Sequence, residues 1–293
     1  MSNKLSPQDI FEIKELAQKK RGEYEVGNGP LGDHILKLLR SIGINLISLP
    51  IKQEGENSGK FCAFYVRFKD QLGSMRFIGL NTYQYFDKQI FSIAHELYHH
   101  WEETEFHICR DLDESSSIRE LKANRFAAEL LLPSDTLTKE IKSVNKGILD
   151  LNSWRYQLLL RFIARLQCDF QLPYKAIVRR LIEIEAINKA QFDKLIKEPV
   201  RSSKDHYYLI ASQIDPIIFE TLNTRTKITD IDGEFTNQIL SNYEDNLISL
   251  DELAEDLELI DKTLDDFGIM EEVDLEDLDE INQFFLESCK DET

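Results

Sequence analysis

The sequence predicts an α+β fold: a small antiparallel sheet with helices, including one buried helix that carries titratable residues, followed by an acidic all-helical C-terminal module. Three observations lead there. Apolar runs of strand character lie between residues 44 and 82. From about Tyr85 the apolar spacing switches to that of helices, and the negative charge gathers in the last third of the chain.

Size and composition set the frame. The chain has 293 residues, 42% of them hydrophobic and 10% aromatic, enough for a substantial core. No apolar run approaches the ~20 residues of a membrane span. The opening "MSNKLSPQDIFEIKELAQKKRGEYEVG" has no apolar block of secretory type, so no membrane association and a cytoplasmic location are expected. Cys62, Cys109, Cys168 and Cys289 form no close pair and are read as buried free thiols.

The formal net charge is -18, unevenly spread. Residues 201–293 hold 26 Asp and Glu against 6 Lys and Arg, while the first 200 residues are close to neutral. "IKEPVRSSKDHYY" (196–208) marks the change, so two domains are expected, 1–200 and 201–293.

Element by element, a helix is expected from about Pro7 to Lys20. A second covers "PLGDHILKLLRSIG", with Ile35, Leu38 and Leu39 at helical spacing and Gly43 as its stop. "INLISLPI" reads as a short strand. "FCAFYVRF" (61–68) and "MRFIGLNT" (75–82), separated by "KDQLGS", read as two antiparallel strands. From Tyr85 to Glu103, Ile90, Ala94, Leu97 and Trp101 line one side of a helix, and Phe91, Ile93 and Tyr98 widen its apolar surface until most of it must be buried.

That helix contains "IAHELYHH" (93–100). His95 and His99 lie one turn apart on one face, so both imidazoles can reach one cation at the ~2.0–2.1 Å of a Zn–N bond. Glu96, about 100° further round, is placed to accept a proton from a water that the metal activates, without itself becoming a ligand. His100 points elsewhere and is read as a surface histidine or a supporting one.

Two histidines and a water leave a catalytic zinc one protein ligand short. "SIRELKANRFAAELLLP" (117–133) has a broad apolar side and stops at Pro133. Glu120 and Asn124 share a face, which suits Glu120 as the ligand and Asn124 as a residue that steadies one. Ser117-Ile-Arg-Glu120 also fits a capping box, in which Glu120 would close the helix start instead. Spacing alone leaves both readings open, with His107, Asp111, Asp113, Glu114 and Glu129 as further ligand candidates.

"FSIAHELYHHWE" followed by "ELKANRFAAELLLP" resembles the ImmA/IrrE family of metallopeptidases, where a His-Glu-x-x-His helix precedes a Glu-x-x-Ala-Asn-x-Phe-Ala-Ala-x-Leu-Leu-x-Pro helix. "RFIGLNT" and "LPYKAIVRRLIEIEAINKAQFDKL" are similar to neighbouring parts of that family, so the likeness spans most of residues 1–200. It departs at Tyr98, where a small residue is common, and at Leu132, where Met is frequent. The resemblance implies a zincin-like metallopeptidase domain binding one Zn²⁺, or another divalent metal, through His95, His99 and Glu120. Catalysis by Glu96 is implied, with a helix-turn-helix repressor, encoded nearby, as the protein substrate. It would relieve repression of a phage, mobile-element or stress operon. Tyr98, His107 and Arg125 are the candidates for stabilising the transition state.

"NQILSNYEDNLISLDELAEDLELIDKTLDDFGI" has helical spacing and a weak resemblance to small helix-turn-helix-like units. With Lys262 and Lys290 as the bases of the last 66 residues, this part is not expected to bind nucleic acid directly. The alternative reading is a non-proteolytic regulatory protein of the same fold whose acidic module titrates a DNA-binding partner. Such a module has no chemical need for Glu96.

Overall fold

Ser6 starts the first helix with a reciprocal capping box to Asp9, and α1 runs Pro7–Glu23. The computed structural model describes residues 4–52, 61–69, 74–102, 106–110, 117–231, 233–260 and 262–269. After a 3₁₀ turn at Gly32–His34, α2 (Ile35–Ile42) ends at Gly43, whose φ of 73° is the left-handed conformation that favours glycine. Strands β1 (Asn45–Leu49), β2 (Phe61–Lys69), β3 (Ser74–Asn81), β4 (Phe106–Arg110) and β5 (Asp230–Ile231) form one sheet in the order β4-β2-β3-β1-β5.

The expected antiparallel pairing of 61–68 with 75–82 is present, with Val66 opposite Phe77 and Phe64 opposite Gly79. The Phe64 ring lies across Gly79 so closely that a Cβ there would sit 2.0 Å from a ring carbon. The sheet as a whole is mixed, which corrects the expectation of an antiparallel one. β3 inserts between β2 and β1, so β1 and β3 run parallel, with Ile47 opposite Gly79. Strand patterns reveal buried faces but not which strand becomes whose neighbour. β4 and β5, at the two edges, carry no period-2 pattern that sequence reading detected.

Helix α3 (Phe86–Trp101) packs on β2 and β3, and α4 (Ile118–Leu131) packs on α3 and α1. The small, fully buried Ala123 and Ala127 let α3 and α4 approach closely. Lys122 of α4 pairs with Asp9 at 2.6 Å, and together with the Ser6 hydroxyl it holds the Asp9 carboxyl down to about 2. Helices α5 (Ser134–Val144), α6 (Tyr156–Phe170), α7 (Tyr174–Glu183), α8 (Lys189–Leu195), α9 (His206–Ala211) and α10 (Pro216–Leu222) follow. One core joins the sheet, α3 and α4 to α6 and α7, through residues such as Tyr65, Ile78, Leu97, Phe126, Ile163 and Ile177.

The chain divides into two compact units after Ile231, not near residue 200 as its charge suggests. Residues 201–231 are bound into the first unit. Tyr207 and Phe219 are completely buried, and the Tyr207 hydroxyl donates to Gln167 Oε1 at 2.7 Å. The segment from Thr224 to Ile231 then straps the sheet: Phe86 N donates to Thr224 O, Lys227 N to Thr82 O and the Thr82 hydroxyl to Ile228 O, before β5 pairs with β1. α9 and α10 have six and seven residues, too short for a legible apolar period, and they hold on through single aromatic anchors.

With the boundary at 231, residues 232–293 contain 22 acids and 2 bases, so this unit carries -20 and residues 1–231 carry +2. The described part of the second unit comprises α11 (Gly233–Glu244), α12 (Leu250–Glu258) and a 3₁₀ turn at Leu264–Phe267. Ser249 and Glu252 form the capping box that begins α12. Cys62 and Cys168 are buried free thiols, and burial pushes Cys168 up to about 12. The Cys109 side chain and Cys289 lie outside the described residues. Among the described residues, no helix is long and apolar enough to cross a membrane.

Candidate metal centre

From Phe91 to His99 every residue of α3 is buried, including His95, Glu96 and His99, all fully inaccessible. Removing three ionisable groups from water is costly unless something compensates them. For the two histidines the compensation comes from each other and from α4. His95 Nε2 and His99 Nε2 are 3.3 Å apart, and the Glu120 carboxylate reaches across from α4, with Oε2 3.2 Å from His95 Nε2 and Oε1 3.6 Å from His99 Nε2. One ligand atom from each of the three residues falls within 4.8 Å of the others.

These separations fit a metal. Two nitrogens at ~2.05 Å from a tetrahedral zinc lie about 3.3 Å from each other. The tautomer fits as well. His95 Nδ1 is 2.9 Å from Asn124 Oδ1, an atom that only accepts, so Nδ1 holds the proton and Nε2 turns its lone pair toward Glu120 and His99. The donor set, two imidazoles and a carboxylate, is the kind that zinc takes in hydrolytic sites.

The local sequence explains how Glu120 gets there. Ser117 is the N-cap of α4 in extended conformation, and its hydroxyl accepts from the Glu120 amide at 3.2 Å. The backbone of Glu120 serves the cap while its carboxylate faces the histidines. The reciprocal box would turn the Glu120 carboxylate back to the Ser117 amide, whereas its oxygens lie 3.2 and 3.6 Å from the histidines. Asn124 follows one turn later on the same face.

The other named residues are placed differently. Glu129 accepts from the Ser134 amide at 2.7 Å and from its hydroxyl at 3.0 Å, and it pairs with the fully buried Arg180 at 2.5 Å, away from the histidine pair. Arg125 lies 2.9 Å from Glu183 and 3.6 Å from Glu129, so its guanidinium joins that same structural network, which ties α4 to α5 and α7. Tyr98 is core: its ring packs on Phe126, and burial, with the charge of Glu102 nearby, pushes its phenol up to about 12. The side chain of His107, in β4, and the whole of Asp111, Asp113 and Glu114 lie outside the described residues. His100, one residue beyond the pair, is half-buried beside Tyr65, whose hydroxyl is 3.0 Å from its Nδ1; burial and the nearby Arg76 and Arg67 push it down to about 4, so it is neutral.

Residues 40–181 match the family described as the IrrE N-terminal-like domain, Peptidase_M78. This part of the chain is similar to an IrrE N-terminal-like domain. The match encloses α3 and α4 and hence every residue of the cluster, and it extends the ImmA/IrrE resemblance of the two motifs to a whole domain. The match supports a metallopeptidase-type function, because members of that family are zinc peptidases. No curated protein gives a significant match to the chain.

Sequence reading missed the scaffold around the cluster. Asn81 accepts from the Ile51 and Tyr83 amides and donates to Phe61 O, joining the ends of β1, β2 and β3 just before α3. Asp87, in the first turn of α3, is fully buried and accepts from Arg201 and Gln167. No local pattern marks these roles, since Asn81 reaches Ile51 and Phe61, 30 and 20 positions away, and Asp87 reaches Arg201, 114 positions away.

Proposed function

We propose that the chain is a zinc-dependent endopeptidase that cleaves a helix-turn-helix transcriptional repressor and so relieves repression of the operon it controls. The observation that carries the hydrolytic part is the convergence of His95, His99 and Glu120, with Asn124 fixing the His95 tautomer and the buried Glu96 beside them on α3. Zinc, when bound, supplies Lewis acidity toward the scissile carbonyl and makes its water more acidic. Glu96 takes the proton of the attacking water and passes it to the leaving amine. An extended stretch of substrate aligns beside β4, the longer of the two edge strands.

The repressor as substrate is supported by the family and by charge. A unit of -20 attracts a basic DNA-binding protein and cannot itself grip phosphates. The test is co-expression with the product of the adjacent gene, followed by mass spectrometry, for the wild-type protein and for Glu96→Gln. Cleavage at one bond by the wild type and none by the zinc-loaded variant is expected. Equal cleavage by both, or an intact repressor with both, contradicts the proposal.

A further inference from the structure

We propose that a cavity between α1 and the junction of α4 with α5 is a binding site for a small polar carboxylate. The cavity has a volume of about 270 Å³. Ile13 and Ala17 turn one face of α1 into the core, while Lys14, Gln18, Arg21 and Gly22, grouped about 100° further round the same helix, line the cavity. Glu129 of α4 and Asp135 of α5 line it as well.

The charge balance of the lining singles out Arg21. Its side chain is buried, with Nε donating to Gly27 O, Nη1 to Leu130 O and Nη2 to Gly29 O. Among the described residues no carboxylate pairs with it, and burial pulls its guanidinium down to about 10, so it keeps its charge at neutral pH. The other charges that line the cavity are matched within the chain: Lys14 lies 2.8 Å from Asp135, and Glu129 lies 2.5 Å from Arg180. One positive charge is left over, on a group that the fold has taken out of water. Backbone oxygens satisfy three of its N–H groups but not that charge, and an anion offsets the cost of its desolvation. A guanidinium has five N–H donors, so two remain for the two oxygens of a carboxylate.

The rest of the lining sets the character of the ligand. The side-chain amides of Gln18 and Asn28 offer donors and acceptors, which suit hydroxyl groups better than an alkyl chain. A dianion would exceed the single unmatched charge. Gly22 leaves room, since a Cβ built on it would meet nothing within 4 Å. The cavity shares no residue with the metal cluster, and Glu129 follows Glu120 by nine residues, about 13.5 Å along α4.

The test is isothermal titration of the full-length protein with gluconate, whose one carboxylate and several hydroxyls represent the class. Sorbitol serves as the neutral comparator and hexanoate as the apolar one. Saturable one-to-one binding of gluconate is expected, with hexanoate weaker and sorbitol undetected. Arg21→Gln should bind gluconate at least about tenfold more weakly. Gly22→Leu, which fills the space without removing a charge and favours the helix, should weaken it as much, and it decides the matter should Arg21→Gln fail to melt cooperatively. His95→Ala should bind as the wild type does. The proposal is overturned if His95→Ala abolishes binding, since gluconate then sits on the metal. It is equally overturned if sorbitol or hexanoate binds as tightly as gluconate, if Gly22→Leu or a folded Arg21→Gln binds like the wild type, or if nothing saturates.

Discussion

Asn124 Oδ1 stands 2.9 Å behind His95 Nδ1, one turn further along α4 than Glu120, so one helix supplies both a candidate ligand and the residue that orients another candidate. The amide oxygen holds the proton on Nδ1 and keeps the ring from rotating. Replacing it with alanine should leave the fold intact and weaken zinc binding by roughly 10- to 100-fold, as measured by competition with a chromogenic chelator. Asn124→Asp, which keeps an acceptor, should recover most of the affinity. Unchanged affinity in Asn124→Ala means that packing alone orients His95.

Ser117 and Glu120 permit a separation of cap from ligand. Ser117→Ala removes the hydroxyl that accepts from the Glu120 amide and should cost about 1 kcal/mol of stability in urea while zinc stoichiometry stays at one. Glu120→Ala should lose the metal, as should His95→Ala and His99→Ala. Full zinc occupancy in Glu120→Ala would assign the third ligand to another residue.

Glu129 offers the opposite test, of stability without chemistry. Glu129→Ala leaves the fully buried Arg180 without its closest carboxylate and uncaps the start of α5. Removing one partner of a buried ion pair typically costs about 3–5 kcal/mol, a large share of a domain's stability. Urea denaturation should show that loss with zinc stoichiometry unchanged in the surviving folded protein. A variant as stable as the wild type would show that Glu183, 2.8 Å from Arg180, is compensation enough.

These contrasts follow how much was legible beforehand. α3 and α4 stand within a few residues of their expected bounds because apolar spacing is local, and His95, Glu96 and His99 needed only their spacing on one helix. Glu120 was ambiguous for a physical reason: an N3 glutamate serves a cap or a ligand equally well until the direction of its side chain is known. The parallel pairing of β1, the place of β4 and the anchoring of 201–231 were not legible. Each depends on partners distant in the chain, as Thr82 with Ile228 and Asp87 with Arg201 are. Net charge misplaced the boundary because the acidity begins at Asp232, whereas 201–231 is balanced, with four acids and four bases.

That boundary has a direct consequence for truncation. A chain ending at Lys204 loses Tyr207 and Phe219, both fully buried, together with β5 and the strap over Thr82. Losing each such aromatic costs about 3–5 kcal/mol, which together exhausts the ~5–15 kcal/mol of a typical domain, so this truncation should be insoluble or lack a cooperative melt. A chain ending at Ile231 keeps all of them and should melt cooperatively with one zinc bound. It also sheds the entire negative excess, passing from -18 to +2. Stopped-flow association with a basic repressor should then be slower at low salt and should change little between low and high salt, whereas the full chain should slow steeply as screening shortens the reach of its field. Cleavage of a short unstructured peptide should be the same for both. Faster peptide cleavage by the shortened chain would show that residues 232–293 restrain the enzyme, and an unfolded product would place them in its core.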